Sequence, residues 1–159
     1  MTNLARSLGI PKWVVRNAVE RMPDVLAEAI METTTDGEQV AFRTPGDSIL
    51  RPFEYHSGGR QNAFAVQLIA TIGEVQARSE PTILLLDAAT AAVDFDTRNR
   101  MFDLLSSPAR SFQTIVTSST PFQVGHEWTV SLLRRKANGL THVIQDLPDS
   151  VAQLIHHEA

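Results

Sequence analysis

The chain has 159 residues, a net charge of -4 and no cysteine, which excludes a disulfide framework and a thiolate metal site and argues against strong non-specific affinity for DNA, since that depends on Lys and Arg neutralising phosphates. At 43% apolar and 20% charged residues it is an ordinary globular composition, long enough for one domain with a real core. The longest apolar stretches, residues 63–70 and 83–86, are too short to span a bilayer, and the N-terminus carries no secretion signal, so a cytoplasmic protein without a membrane partner is expected.

In chain order, residues 3–31 read as helical. Leu4, Leu8, Val14, Val15, Ala18, Val19 and Met22 recur at helical spacing. Gly9-Ile10-Pro11 interrupts the run, with Pro11 suited to the first turn of a second helix. Pro23-Asp24 starts a third short helix through Ile30. Asp36-Gly37 is a turn signal, and Val40 and Phe42 mark a short strand ending at Thr44-Pro45-Gly46. Residues 60–77 form the next helix, with Phe64, Leu68, Ile72 and Val75 on one face.

The apolar run Thr82–Leu86 is expected to be a parallel strand covered on both faces. Asp96–Ser106 is helical, capped by Asp94 or Asp96. Thr114–Thr117 reads as a second buried strand. Trp128–Arg134 and Leu140–Gln145 flank Asn138-Gly139, a hairpin signal, and residues 150–157 read as a short terminal helix. Strands alternating with helices give an α/β layer architecture. The domain division is a helical segment over 1–35 and an α/β lobe over 36–159. His56, His142, His156 and His157 show no metal spacing and read as surface or loop residues.

Ser57-Gly58-Gly59 ahead of a helix is a physically sensible anion site. Paired glycines let the backbone approach a ligand, Ser57 offers a hydroxyl, and the helix start offers unpaired N–H groups. Asp87 ends a buried strand, where open α/β sheets bind ligands, and its carboxylate suits Mg²⁺ directly or through water.

The run Ser57-Gly58-Gly59-Arg60-Gln61 and, thirty residues after Ser57, Asp87 at the end of Ile83-Leu84-Leu85-Leu86 together resemble the signature loop and Walker B strand of an ABC-type ATPase. Residues 87–94, Asp87-Ala88-Ala89-Thr90-Ala91-Ala92-Val93-Asp94, resemble the family's Walker B end and D-loop, D-E-[AP]-T-x-x-[LV]-D. No G-x-x-x-x-G-K-[ST] loop occurs, so the phosphate-cradling half lies elsewhere. The resemblance covers about residues 36–145. It implies the C-terminal lobe of an ABC-type P-loop NTPase head, with an N-terminal helical segment and a C-terminal β-hairpin. It also implies ATP and Mg²⁺ as cofactors, a Walker A-bearing lobe or subunit as partner, and an ATP-dependent homo- or heterodimer.

By the same resemblance Ser57, Gly58, Gly59, Arg60 and Gln61 bind ATP in trans, Asp87 serves the metal and Asp94 the dimer interface. Ser118 stands where transporters usually carry a histidine, and serine there is similar to chromosome-maintenance (SMC) ATPases. The longer signature-to-Walker B spacing also leans toward the SMC and DNA-repair branch. Ala88 occupies the place of the catalytic glutamate, and a methyl group cannot orient water. Either a Glu→Ala exchange that traps the ATP-bound dimer or natural loss explains it. The chain is thus expected to hydrolyse ATP only with a Walker A lobe, and poorly as written.

A catalytically dead module that regulates a partner ATPase, and a transporter nucleotide-binding half, are the alternatives. DNA is a further candidate partner. Residues 1–35 resemble either a coiled-coil stub or a helix-turn-helix presenting Arg6, Lys12 and Arg16, while Arg98 just past the D-loop is placed to face a dimer partner.

Overall fold

The computed structural model describes residues 9–34, 37–107, 111–118, 128–135 and 141–144. The chain divides into two units, Met1–Thr120 and Pro121–Ala159.

In the first unit, helix α1 (Lys12–Val19) buries Val15, Ala18 and Val19, the i, i+3, i+4 stripe that its sequence prescribes. Pro11 stands at the N-cap, one residue ahead of the first turn, and its carbonyl accepts from the Val14 amide at 3.0 Å. Arg16 forms an ion pair with Glu38.

The third helix expected from Pro23 to Ile30 does not form. Instead the chain enters strand β1 (Glu28–Thr34), which pairs antiparallel with β2 (Gly37–Arg43) from Glu28↔Arg43 to Thr34↔Gly37. The cause is tertiary. Gln67, fully buried, accepts from the amides of Leu26 (2.5 Å) and Ala27 (3.1 Å) through Oε1. Its Nε2 donates to the carbonyls of Pro23 (2.5 Å) and Ala27 (2.9 Å). Those backbone groups are therefore satisfied without a helix. Asp36 of the expected turn lies outside the described residues, and Gly37 opens β2.

Strand β3 (Arg51–Pro52) adds to β2, completing a sheet in the order β1-β2-β3. A 3₁₀ turn (Phe53–Tyr55) then leads to helix α2 (Gly58–Ala77). Phe64 and Leu68 of α2 join Val15, Val19, Val40 and Phe42 in the main core. Ala63, Val66, Ala70 and Gly73 are also buried, and the Phe112 ring lies 3.3 Å from where a Gly73 Cβ would stand. α2 is thus covered on more than the single face its apolar spacing suggested, while Val75 is exposed.

Strand β4 (Ile83–Leu86) pairs in parallel with β5 (Gln113–Val116), joined by helix α3 (Phe95–Ser106). Leu84 and Leu86 are buried, but Ile83 and Leu85 are 60% and 69% exposed and Ile115 is 47% exposed. The expectation of strands covered on both faces is therefore corrected. The pleat sends alternate side chains to opposite faces, and no described element covers the second one. Among the described residues this parallel sheet has two strands and one exposed apolar face, a departure from the ordinary rule that parallel sheets are buried on both sides.

Asp94 caps α3, as its sequence position suggested, accepting from the Thr97 amide at 2.9 Å. The Thr97 hydrogen bonds hold its carboxyl below the ordinary value. Asp94→Ala is expected to cost about 1 kcal/mol at neutral pH. Because the folded pKa is lowered, the unfolded chain binds the proton more readily, so this stabilisation is present above the ordinary carboxylate range and fades as pH falls through it. Urea midpoints of both proteins, measured at neutral and at acidic pH, should converge on acidification.

In the second unit, β6 (Leu132–Arg135) and β7 (Thr141–Ile144) form the expected antiparallel pair, from Leu132↔Ile144 to Arg135↔Thr141. The Asn138-Gly139 turn and the helix expected over 150–157 lie outside the described residues.

Candidate functional site

Two loops, distant in sequence, build one surface. The first is the start of α2. Ser57 is its N-cap in an extended conformation, with a carbonyl that accepts from the Gln61 amide at 2.9 Å. The Ser57 hydroxyl makes no capping bond and the residue is exposed. The N–H groups of Gly58, Gly59 and Arg60 belong to the first turn, where no intrahelical acceptor exists. Hydroxyl and amides together form a donor-rich, electropositive helix start.

The two glycines differ in their reasons. A Cβ on Gly58 would meet nothing within 4 Å, whereas one on Gly59 would collide with the carbonyl oxygen of Ala92. Gly59 therefore lets α2 seat directly on the second loop. Asn62 reinforces that seat by donating to the Ala91 carbonyl at 2.9 Å.

Arg60 and Gln61 are engaged within the chain. Arg60 donates to Asp47 at 2.7 Å. Asp47 also accepts from the Thr44 hydroxyl at 2.7 Å, and that bond, with the Arg60 charge, holds its carboxyl below the ordinary value. The Gln61 side chain donates through Nε2 to the carbonyls of Phe53 and His56, both at 3.0 Å. Gln61 thus braces the loop from the helix side. His56 lies in the loop, one of the two places the sequence allowed, but not at the surface. It is 7% exposed, and its ring stacks on Phe42 with centroids 3.7 Å apart.

The second loop leaves β4. Asp87 Oδ1 accepts from the Thr117 hydroxyl, and the same hydroxyl accepts from the Ala88 amide at 3.1 Å. Thr117 continues β5 by donating its amide to the Leu86 carbonyl at 2.9 Å. The strand ends thereby fix Asp87, an exposed residue, through one oxygen. Ala88 (φ 49) and Ala92 (φ 59) both adopt the left-handed region, which costs a non-glycine residue roughly 1 kcal/mol. Thr90 is buried and its hydroxyl lies 3.0 Å from that of Ser118. Arg98 turns back to the Val93 carbonyl at 2.9 Å.

The structure therefore brings Ser57, Gly58, Gly59, Ala88 and Asp94 onto contiguous loops, and couples Asp87 and Ser118 to the ends of the parallel strands. Sequence reading missed Thr117 and Asn62. Thr117 had a signal, a hydroxyl residue closing an apolar strand beside the one that ends in Asp87.

Among the described residues no three His, Asp or Glu side chains cluster as a metal cage. A single strand-end carboxylate is nonetheless adequate for Mg²⁺, which usually keeps waters and binds one or two carboxylates together with substrate phosphates. Among the described residues no helix is long and apolar enough to cross a membrane.

The chain matches no family model and no curated protein. Solved structures do match. One comes from structural work on the ATP-driven dimerization and DNA-stimulated activation of SMC ATPases, with TM-score 0.64 and 15% identity over 95% of this chain and 91% of that chain. Another is an SMC head bound to the C-terminal winged-helix domain of ScpA, with TM-score 0.58 and 18% identity over 83% of this chain. The fold is that of an SMC ATPase head. The chain spans 42% of the ScpA-bound head.

Proposed function

We propose that the chain is the signature-bearing lobe of an SMC-like ABC ATPase head, completed by a separate lobe or subunit that carries the phosphate-binding loop. The observation that carries this reading is the seating of Gly59 against the Ala92 carbonyl. It unites the Ser57–Gly59 helix start with the Asp87–Asp94 loop in one surface able to meet a nucleotide held by another protein. The bare face of Ile83, Leu85 and Ile115 supports the missing lobe.

In this reading the Ser57 hydroxyl and the first-turn amides of α2 donate to the γ-phosphate presented by the opposing head. Asp87, oriented by Thr117, holds the metal's water shell or the metal itself. Bound Mg²⁺ neutralises charge on the transferring phosphoryl group, and the protein's part is positioning and electrostatics. Ser118, held by Thr90, lies beside the attacking water or γ-phosphate, and Asp94 meets the dimer partner. Two such heads would close on ATP and reopen after hydrolysis. DNA as a further partner enters through the likeness to the DNA-stimulated SMC ATPases alone. The methyl of Ala88 favours a second reading, a catalytically inert module that regulates a partner ATPase.

The test is purification of the complex from its source with sequencing of its partners. The expected partner carries a G-x-x-x-x-G-K-[ST] loop. Leu85→Lys, at an exposed position, should abolish that association while the melting temperature stays within a few degrees of the parent. Recovery of the chain with no P-loop polypeptide would contradict the proposal.

A further inference from the structure

We propose that His56 is the positioning residue of the Ser57–Gly59 loop, acting through its Nε2–H and not through packing alone. The consequence for nucleotide engagement rests on the reading above; the positioning itself does not.

Nε2 lies 2.9 Å from the Phe42 carbonyl and 3.2 Å from the Arg51 carbonyl. Both partners can only accept, so Nε2 is the donor. Phe42 and Arg51 are register partners on β2 and β3, so one N–H fastens the residue ahead of Ser57 to both strands. On the other side, the His56 carbonyl accepts from Gln61, four residues beyond Ser57. The loop is thus clamped at both ends, and both clamps pass through residue 56. This leaves the Ser57 hydroxyl without a capping duty at the surface.

A packing role alone does not account for histidine here. The ring continues a stack in which Phe42 lies on Phe64 with centroids 4.6 Å apart and an interplanar angle of 12°. Phenylalanine would extend that stack equally well. Histidine instead buries Nδ1 with no hydrogen-bond partner among the described residues, an unfavourable feature that phenylalanine would avoid. What histidine adds is the Nε2 donor.

Two variants separate the roles. His56→Phe keeps the stack and removes the donor. His56→Gln places an amide donor at similar reach and removes the ring. In the 159-residue chain, hydrogen exchange at the Gln61 backbone amide, which the Ser57 carbonyl accepts at 2.9 Å, should rise about tenfold in His56→Phe as the untethered loop opens more readily, with a near-parental melting temperature. His56→Gln should melt earlier yet keep Gln61 exchange near the parental value relative to global opening. Unchanged Gln61 exchange in His56→Phe, or loop exchange that simply follows melting temperature in both variants, would overturn the proposal. In the assembly with its P-loop partner, His56→Phe should also raise the ATP concentration needed for dimerisation, and His56→Gln should not. If the parent shows no ATP response while the exchange pattern holds, the ATPase reading fails and the positioning role stands.

Discussion

Ala88→Glu, introduced into the chain assembled with its P-loop lobe, is expected to raise ATP turnover by roughly 10²–10⁴-fold, the contribution typical of a positioned general base. Ala88 already adopts φ 49, so a longer side chain pays little additional conformational cost for the left-handed geometry that any Cβ incurs. Its amide is fixed to Thr117, the residue whose hydroxyl also fixes Asp87. A glutamate there would stand next to Asp87, the carboxylate proposed to serve the metal, at an exposed position. Phosphate release by the two assemblies, compared at saturating ATP, checks this. Equal rates would place the defect elsewhere and favour the inert regulatory module.

Gln67→Leu is expected to destabilise the fold by about 4 kcal/mol, near the upper end for single substitutions. Leucine fills a similar volume but strands the four backbone groups that Gln67 now satisfies, the amides of Leu26 and Ala27 and the carbonyls of Pro23 and Ala27. Gln67 is fully buried on α2, so water does not readily replace those bonds. The same α2 begins at the Ser57 loop, so the segment entering β1 and the candidate site share one helix. Gln76→Leu is the control, because Gln76 is exposed and donates only locally, to Glu80 just past the end of α2. Urea midpoints measure both. A loss below about 1 kcal/mol for Gln67→Leu would mean that the Pro23–Ala27 segment relaxes to satisfy itself.

What was legible in the sequence followed from local chemistry. The Gly-Gly helix start, the strand closed by Asp87 and the Asp94 cap all lie where short-range patterns put them. The third helix failed because Leu26, Ala27 and Ala29 are good helix formers overridden by a side chain some forty residues away, Gln67. Burial of β4 and β5 was only half right. Periodicity reports which residues want cover, and on the Ile83–Leu85 face no described residue supplies it. His56 carried no local signal of burial. Its place is set by Phe42 on a neighbouring strand. Gln61 illustrates a converse difficulty, since a motif position that suggests ligand contact also braces the loop through Phe53 and His56.

The central claim is that a nucleotide is sandwiched between the Ser57–Gly59 surface and a phosphate-binding loop on another head. Native mass spectrometry of the purified complex, with and without ATP and Mg²⁺, tests it most directly. A unit of this chain plus a P-loop polypeptide is expected, and its mass should double when ATP–Mg²⁺ is added. A complex whose mass is indifferent to nucleotide, or a chain that remains a monomer, would contradict it.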